Sequence, residues 1–343
     1  MNPALPMSDY DYEFPQSLIA STAAEPRDSA RLLVVSRNES QIQHAVFRDL
    51  GRYLKPGDCL VLNRTKVMLC RLLGRKHTGG KADLVLVEEL ERDVWTALAS
   101  GFKKGQVLEF PGKLTARVEG LTAQGEYLLR FDTSQLRSYL QEHGLPPLPP
   151  YIAKTRPPLR TDAARYQTVY ARDEGSIAAP TAGMHFTTDL LESFKAAGVH
   201  IAYVTLHVGR GTFRPIACDD AARHVMLPES YEAESGEIDS MARCRARGGR
   251  IVSVGTTTTR VLETLAARPQ GFGPGRGSSS LYITPGHQFR AVDALITNFH
   301  LPRSTPLLLA CAFAGRERLL AAYREAVARR YRLYSFGDAT FLL

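Results

Sequence analysis

Short runs of alternating hydrophobic and polar residues, separated by glycine or proline turns, fill the chain from about Val67 to Phe131. Examples are "ADLVLVEEL", "DVWTALAS", "LTARVEG" and "EYLLRF". Strands this short and this regular are typical of a small antiparallel barrel or sandwich. The pattern then predicts a short helix, "SQLRSYLQEHG", that ends at Gly144. The proline-rich "LPPLPPYI" follows, and a domain boundary is expected there.

Beyond this connector the pattern alternates between buried strands and amphipathic helices. It predicts strands at 250–254 and 292–297, and a helix capped by Ser304 or Thr305 with Pro306 at its first position. Such alternation is typical of an α/β domain with a mostly parallel sheet. Because "DSARLLVVSR" and "GDCLVLNRTKV" also resemble its strands, residues 1–65 and 146–343 are assigned to this domain and 66–145 to an inserted β-barrel.

Polar side chains follow several of the predicted α/β strands. In sheets of this type ligands bind at the carboxyl ends of the strands, so these residues are candidates for a binding site. They are Thr205, His207, Thr256, Thr257, Asn298 and His300. The run "VGTTTTR" resembles an anion-binding helix start, and a well-capped helix with spare hydroxyls is the alternative.

Composition narrows the class of protein. The 343 residues carry a formal net charge of +8, which favours a polyanionic partner. The five cysteines are odd in number and show neither C-x-x-C nor zinc-finger spacing, which indicates a reducing, cytoplasmic compartment. The start of the chain has no secretory pattern, and the longest apolar run, 306–314, is too short to span a membrane.

Four histidines lie in loops or at strand ends beside glycine, proline or threonine: His185, His207, His224 and His300. Each is a candidate functional residue, with a hydrogen-bonded structural histidine as the alternative. Arg214 in "TLHVGRGTFRP" could clamp a carboxylate or phosphate, or form a structural salt bridge. The glycine-rich "GFGPGRG" at 271–277 follows a helix and is interpreted as a flexible loop.

Basic residues cluster in "RLLGRKHTGGK" on the first predicted barrel hairpin and in "RCRARGGR" at 243–250. A solvated charged surface is one explanation of each cluster, and contact with an RNA backbone is the other. The RNA candidates on the hairpin are Arg71, Arg75, Lys76 and Lys81.

Long strings of the sequence resemble the S-adenosylmethionine:tRNA ribosyltransferase-isomerase family of queuosine biosynthesis. They include "PGDCLVLNRTKV", "RYQTVYARDEGSIAAPTAGMHFT", "VTLHVGRGTFRPI", "VGTTTTRVLET", "VDALITNFHLPRSTPLLLACAFAG" and "YRLYSFGDATFL". The chain departs from the family pattern His-x-Met-His-x-Glu in "HVMLPE", where Leu227 replaces the second histidine. His224 and Glu229 remain in place.

The resemblance implies an α/β domain with an inserted barrel, no metal, and S-adenosylmethionine consumed as a ribosyl donor, with no separate cofactor. The implied acceptor is the aminomethyl group of 7-aminomethyl-7-deazaguanine at the tRNA wobble position. The implied products are epoxyqueuosine, adenine and methionine. A monomer is expected.

This chemistry needs proton transfers, so the candidate catalytic residues are His185, His207, His224 and Glu229. His185 and His207 are the candidates for base and acid, in either order. The candidate substrate-binding residues are Thr181, Gly183, Arg214, Thr256, Thr257, Asn298 and His300. A non-catalytic RNA-binding protein and a metal-dependent hydrolase are the alternatives: the former leaves the polar strand ends unexplained, and the latter leaves the histidine spacing unexplained.

Overall fold

The computed structural model describes residues 5–37, 41–209, 211 and 216–343. The chain folds into two compact units. The first comprises Met1–Lys66, Gln167–Glu174 and Ala179–Leu343, and the second comprises Val67–Tyr166 and Gly175–Ala178. Residues 146–166 therefore belong to the second unit, beyond the boundary at 145 that the sequence analysis assigned.

The strands and helices of the described residues follow in chain order. The strands are β1 Arg31–Val35, β2 Ile42–Val46, β3 Cys59–Asn63, β4 Thr65–Val67, β5 Arg71–Lys76, β6 Lys81–Glu91, β7 Val94–Leu98, β8 Val107–Glu109, β9 Thr115–Leu121, β10 Tyr127–Phe131, β11 Asp173–Ser176, β12 His200–Leu206, β13 Glu229–Ala233, β14 Ile251–Val254, β15 Gly275–Ser279, β16 Ala294–Asn298 and β17 Ala339–Leu342. The α-helices are α1 Leu136–His143, α2 Pro150–Ala153, α3 Asp162–Arg165, α4 Thr188–Ala196, α5 Ser235–Ala246, α6 Gly255–Ala266, α7 Thr305–Ala314 and α8 Arg316–Ala328.

The first unit is built on a sheet that contains nine strands among the described residues, in the order β15-β13-β12-β3-β14-β16-β17-β1-β2. Its central strands β12, β3, β14 and β16 are mutually parallel. Antiparallel pairs flank them, between β12 and β13 and between β16 and β17. The predicted α/β class is confirmed, and the sheet is mixed, with parallel pairing among the four central strands and again between β17 and β1.

The central strands are nearly continuous hydrophobic runs because both faces of the sheet are covered. Every residue of β3, β14 and β16 is buried. On one face, Leu60 and Val254 belong to a core that includes Phe194 of α4. Helices α5 and α6 also pack on β3, β12 and β14. The loops at the carboxyl ends of the parallel strands are thereby brought to one edge of a rigid sheet.

The second unit contains a closed barrel in the order β10-β7-β6-β5-β8-β9, with every neighbouring pair antiparallel. Its alternation of buried and exposed side chains is clear in β6, where Ala82, Leu84 and Leu86 are buried. The barrel that the alternating pattern predicted is confirmed. Helix α1 ends at Gly144, also as predicted.

The interpretation of 271–277 as a flexible loop is wrong in its second half, where β15 begins at Gly275 and pairs with β13. Backbone pairing, and not a side-chain pattern, creates this strand, and Gly277 gives the Tyr231 ring the space that a Cβ would occupy. Among the described residues, no helix is both long enough and apolar enough to cross a membrane.

Candidate active site

Hydrogen bonds of one side chain connect the carboxyl ends of two neighbouring parallel strands, β3 and β12. Asn63 ends β3, and its amide Nδ2 donates to the carbonyl of Leu206, which ends β12, at 3.0 Å. The same nitrogen lies 3.2 Å from the Thr257 hydroxyl, at the start of α6. Asn63 Oδ1 accepts from the backbone N–H groups of Leu206 and Thr65. One fully buried amide therefore joins two strand ends and a helix start.

His207 follows β12 directly and is half-buried. Its Nδ1 lies 2.9 Å from the hydroxyl of Thr65, and its backbone N–H donates to the carbonyl of Ser230. Burial lowers the pKa of His207, and the nearby carboxylates of Asp173 and Glu232 oppose that shift. The imidazole is therefore neutral at pH 7 and able to accept a proton.

Helix α6 starts where β14 ends, at Gly255, whose φ of +86° is a conformation that favours glycine. Its N-cap residue, Val254, supplies no capping side chain, so the first N–H groups lack the partner that a serine or threonine cap gives. Thr258 and Thr259 bond back to carbonyls at the helix start. Thr256 and Thr257 are half-buried, and the Thr257 hydroxyl lies against Asn63 at the strand end.

His185 lies in the 3-10 turn Thr181–His185, with 5% of its surface exposed. Asn298 ends β16, and its Nδ2 lies 3.3 Å from His185 Nε2 and 3.0 Å from the Tyr334 carbonyl. Because that carbonyl requires a donor, the amide orientation is settled, and His185 Nε2 must accept. The neutral ring therefore carries its proton on Nδ1. Helix α4, by contrast, is capped by Thr187 and not by this imidazole.

Burial lowers the pKa of His185 from 6.5 to about 4, an effect that Arg332 and Arg27 reinforce and Asn298 opposes. Between about pH 4 and pH 6.5, His185 therefore binds a proton in the unfolded state but not in the folded state. The stability that neutral His185 contributes is present above this pH and is lost as the pH falls toward 4.

We expect His185→Gln to flatten the acid-side fall in the free energy of unfolding, by up to about 1.4 kcal/mol per pH unit between the two pKa values. Urea denaturation at a series of pH values measures this slope. The exposed His200, changed to glutamine, is the control. An unchanged slope in the His185 variant would contradict a buried neutral imidazole.

Glu229, the first residue of β13, has two fixed partners. Its Oε2 forms an ion pair with Arg260 of α6, and its Oε1 accepts from the backbone N–H of Gly209 at 2.8 Å. The remaining donors of Arg260 bond to the carbonyls of Leu281 and Ser279. Both members of the pair are buried. The carboxylate therefore holds the loop that follows His207, a supporting position for a residue the sequence suggested as catalytic.

The structure places the other sequence candidates apart from these contacts. His224 packs edge-on against Tyr282 with ring centroids 5.3 Å apart. The ring of His300 bonds to Thr297, and its backbone bonds to Tyr323 and Tyr12. Leu227 lies beside Gly211, where an added Cβ would meet its side chain at 3.7 Å. Arg214 lies outside the described residues.

Gly183 has a packing role that its loop position did not reveal. A Cβ at this position would lie 2.0 Å from the hydroxyl of Tyr170 and 2.9 Å from the methyl of Thr168. Protein side chains thus fill the space beside this glycine, which the sequence analysis named as a candidate substrate-binding residue. Thr181 is half-buried and opens the same turn.

The basic residues of the β5–β6 hairpin differ in availability. Arg71 forms a bidentate pair with Asp83, and Lys76 donates to the carbonyl of Gly101. Arg75 and Lys81 face each other across the ladder, are exposed, and form no ion pair with any described residue. In the cluster at 243–250, Arg245 and Arg250 bond to protein carbonyls and carboxylates. On the hairpin, the bonds of Arg71 and Lys76 therefore leave Arg75 and Lys81 as the two basic residues available to an outside partner.

Asn63, Thr65 and Arg260 contact candidate site residues, and the sequence analysis did not name them. The rule that selected Asn298 also selects Asn63, because "CLVLN" is a buried strand that ends in a polar residue. Thr65 and Arg260 carry no comparable signal. In the part of the chain that the structure describes, no group of three or more His, Cys, Asp or Glu residues could hold a metal ion.

Comparisons with known proteins agree with this architecture. The model of the queuosine biosynthesis protein family matches residues 7–342. The S-adenosylmethionine:tRNA ribosyltransferase-isomerase of Anaeromyxobacter dehalogenans (strain 2CP-C) is 50% identical over 345 residues, which cover 98% of this chain and 99% of that protein. The protein of the same name from Symbiobacterium thermophilum is 47% identical over 343 residues, with 98% and 99% covered.

A crystal structure of S-adenosylmethionine tRNA ribosyltransferase from Thermotoga maritima resembles this fold with a TM-score of 0.57 and 38% identity. The match covers 98% of this chain and 100% of that chain. Family model, sequence relatives and fold thus extend over nearly the whole chain and agree with one another. The chain belongs to the queuosine biosynthesis protein family, and, like the curated S-adenosylmethionine:tRNA ribosyltransferase-isomerases that it matches, it is an enzyme.

Proposed function

We propose that this enzyme transfers the ribosyl moiety of S-adenosylmethionine to the aminomethyl group of 7-aminomethyl-7-deazaguanine at the tRNA wobble position and isomerises it. The products are epoxyqueuosine in the tRNA, free adenine and methionine. Family membership supports the reaction type. The observation that carries the proposal to this chain is that polar groups lie at the carboxyl ends of β3, β12 and β16 and at the start of α6, with hydrogen bonds that join those of β3, β12 and α6.

The chemistry needs a base first, because the sulfonium of the donor makes its C5′ hydrogens acidic. The glycosidic bond to adenine then breaks, and the neutral amine of the modified base attacks. We assign the base to His207, whose imidazole is half-buried and neutral. His185 is a poorer base because its Nε2 is held by Asn298. We assign His185 a different role, in which its Nδ1–H donates a hydrogen bond to negative charge that develops on a reacting group.

The donor-binding groups of the proposal are the hydroxyls at the start of α6 and in the nearby turn. We expect Thr256, Thr257 and Thr181 to bond to ribose hydroxyls or adenine, and the Asn298 carbonyl oxygen to accept from the ligand. That oxygen is buried and has no hydrogen-bond partner among the described residues. The assignment of Arg214 to the methionyl carboxylate rests on the sequence alone. S-adenosylmethionine is consumed as a substrate, and no further cofactor enters the proposal.

Calorimetric titration with S-adenosylmethionine, in buffer with EDTA, tests the donor site. We expect the parent to bind, and the double variant Thr256→Val/Thr257→Val to bind about tenfold more weakly, the sum of two hydrogen bonds of about 0.5–1 kcal/mol each. Thr264→Val is the control on the same helix, since its hydroxyl bonds to Ser279. Equal affinities for both variants would remove the helix start from the donor site.

We expect Arg75 and Lys81 to contribute to tRNA binding. The two exposed cations face each other and repel, and the phosphates of a polyanion neutralise both charges. The Arg75→Gln/Lys81→Gln variant should bind tRNA more weakly and reduce the slope of log K against log[salt] by about 1.4–1.8, the release of about two counterions. Lys195→Gln on α4, an exposed residue paired with Glu192, is the control. A slope equal to that of the parent would exclude the hairpin from the interface.

A further inference from the structure

The Thr65 hydroxyl connects His207 to the backbone of β11. Thr65 is fully buried at the start of β4, and its own N–H donates to Asn63 Oδ1 at 3.1 Å. Its Oγ1 lies 2.9 Å from His207 Nδ1 and 3.4 Å from the carbonyl oxygen of Asp173. The hydroxyl thus lies between an imidazole nitrogen and a carbonyl, with a backbone anchored by Asn63.

Two hydrogen-bond arrangements of His207, Thr65 and the Asp173 carbonyl fit these distances, and they differ in the number of bonds that the available protons can form. A hydroxyl has one proton, and a neutral imidazole carries one on either nitrogen. If His207 donates from Nδ1 to Thr65, the hydroxyl is free to donate to the Asp173 carbonyl, and two hydrogen bonds form. If the hydroxyl donates its one proton to Nδ1, it cannot also donate to the Asp173 carbonyl, and that bond is lost. Since unsatisfied groups are costly where water is excluded, the first arrangement is favoured.

We propose that Thr65 is a positioning residue that holds His207 in the tautomer protonated at Nδ1, so that the lone pair of Nε2 accepts the proton in the reaction. This inference rests on the proposed function for the role of His207, and on the contacts of Thr65 for the tautomer. In the resulting step the bond between the C5′ carbon and its hydrogen breaks, its electron pair stays on carbon, and the proton moves to Nε2.

The charges around His207 suit this role. Asp173 and Glu232 face the imidazole from β11 and β13 and favour its protonated form once the proton has been taken up. Asp173 is itself held by Arg64 and by the Thr205 hydroxyl, at 2.8 and 2.6 Å. The carboxylate is therefore fixed in place and kept ionised, with its pKa lowered by these two partners against the effect of burial.

Nitrogen-15 NMR of the substrate-free protein tests the tautomer, because protonated and unprotonated ring nitrogens resonate far apart. We expect His207 in the parent and in Thr65→Ser to carry its proton on Nδ1, and Thr65→Val to shift the population toward Nε2. Thr340→Val, which also removes a buried hydroxyl bonded to a carbonyl, is the control and should leave His207 unchanged. A proton on Nε2 in the parent, or no response to Thr65→Val, would overturn the proposal.

Kinetics provide the second measurement. We expect Thr65→Val to lower kcat about tenfold at unchanged KM, part of the roughly 10²–10⁴-fold that a positioned base contributes, and Thr65→Ser to restore it. A merely structural role would affect serine and valine variants through stability and leave the tautomer alone. Because the NMR measurement needs no substrate, its outcome stands apart from any failure of the proposed reaction. Equal kcat values for the valine variant and the parent would also count against the proposal.

Discussion

We expect His207→Ala to lower kcat about 100-fold at saturating donor and tRNA, with KM nearly unchanged, because the proposed role of this imidazole is to move a proton in the transition state. The expectation rests on its place at the end of β12, on its contact with Thr65, and on a pKa that burial lowers. A histidine that only packed against a ligand would raise KM instead. Steady-state kinetics of the purified variant therefore separate the two roles.

His200→Ala is the matched control, because His200 is the exposed first residue of the same strand, at the opposite end from the site. Its kcat should equal that of the parent. Circular dichroism and thermal unfolding must first show that both variants are folded. A folded His207 variant with kcat within about threefold of the parent would refute the assignment of the base, since general bases contribute about 10² or more.

Glu229→Ala is expected to destabilise the protein by about 3–5 kcal/mol, because it leaves the Arg260 guanidinium buried without a counter-charge. Arg260 and Glu229 are exposed by only 7% and 6%. The variant also leaves the N–H of Gly209 without its acceptor, so the loop after His207 should loosen. Urea denaturation monitored by circular dichroism measures the difference in the free energy of unfolding.

Glu232→Ala is the control on the same strand. Its partner Arg276 has a side chain that is 79% exposed, and such surface pairs contribute about 0–1 kcal/mol. If Glu229→Ala cost no more than this control, the buried pair would not be the support that the geometry indicates. If a stably folded Glu229→Gln instead lost kcat about 100-fold, the catalytic role suggested by the sequence would be favoured over the supporting one.

Much of the fold could be predicted because it follows from patterns of hydrophobic and polar residues within single strands and helices. The buried run of β3 and the alternation of β6 each follow from which faces are covered. The cap of α7 is equally local, since Ser304 accepts from Leu307 within one turn. The strand β15 could not be predicted in this way, because a glycine-rich segment becomes a strand only through the partner it meets.

The candidate site residues that lie at strand ends could be predicted from the sequence. Those whose contacts are with residues far away in the chain could not. His207, Thr257 and Asn298 follow from the rule that ligands bind at carboxyl ends. Thr65 lies 142 positions from His207, and Glu229 lies 31 positions from Arg260, so no local spacing connects them. Gly183 shows the same limit, since only the fold reveals that Tyr170 occupies the space beside it.

The most direct test of the proposed function is incubation of the enzyme with S-adenosylmethionine and tRNA that carries 7-aminomethyl-7-deazaguanine at the wobble position. Nucleoside mass spectrometry of the digested tRNA and chromatography of the supernatant follow the products, with tRNA that carries an unmodified guanine as the control. We predict that epoxyqueuosine appears only with the modified tRNA, together with equimolar adenine and methionine. A modified tRNA that remains unchanged, with no adenine released by an enzyme shown to bind the donor, would contradict the account.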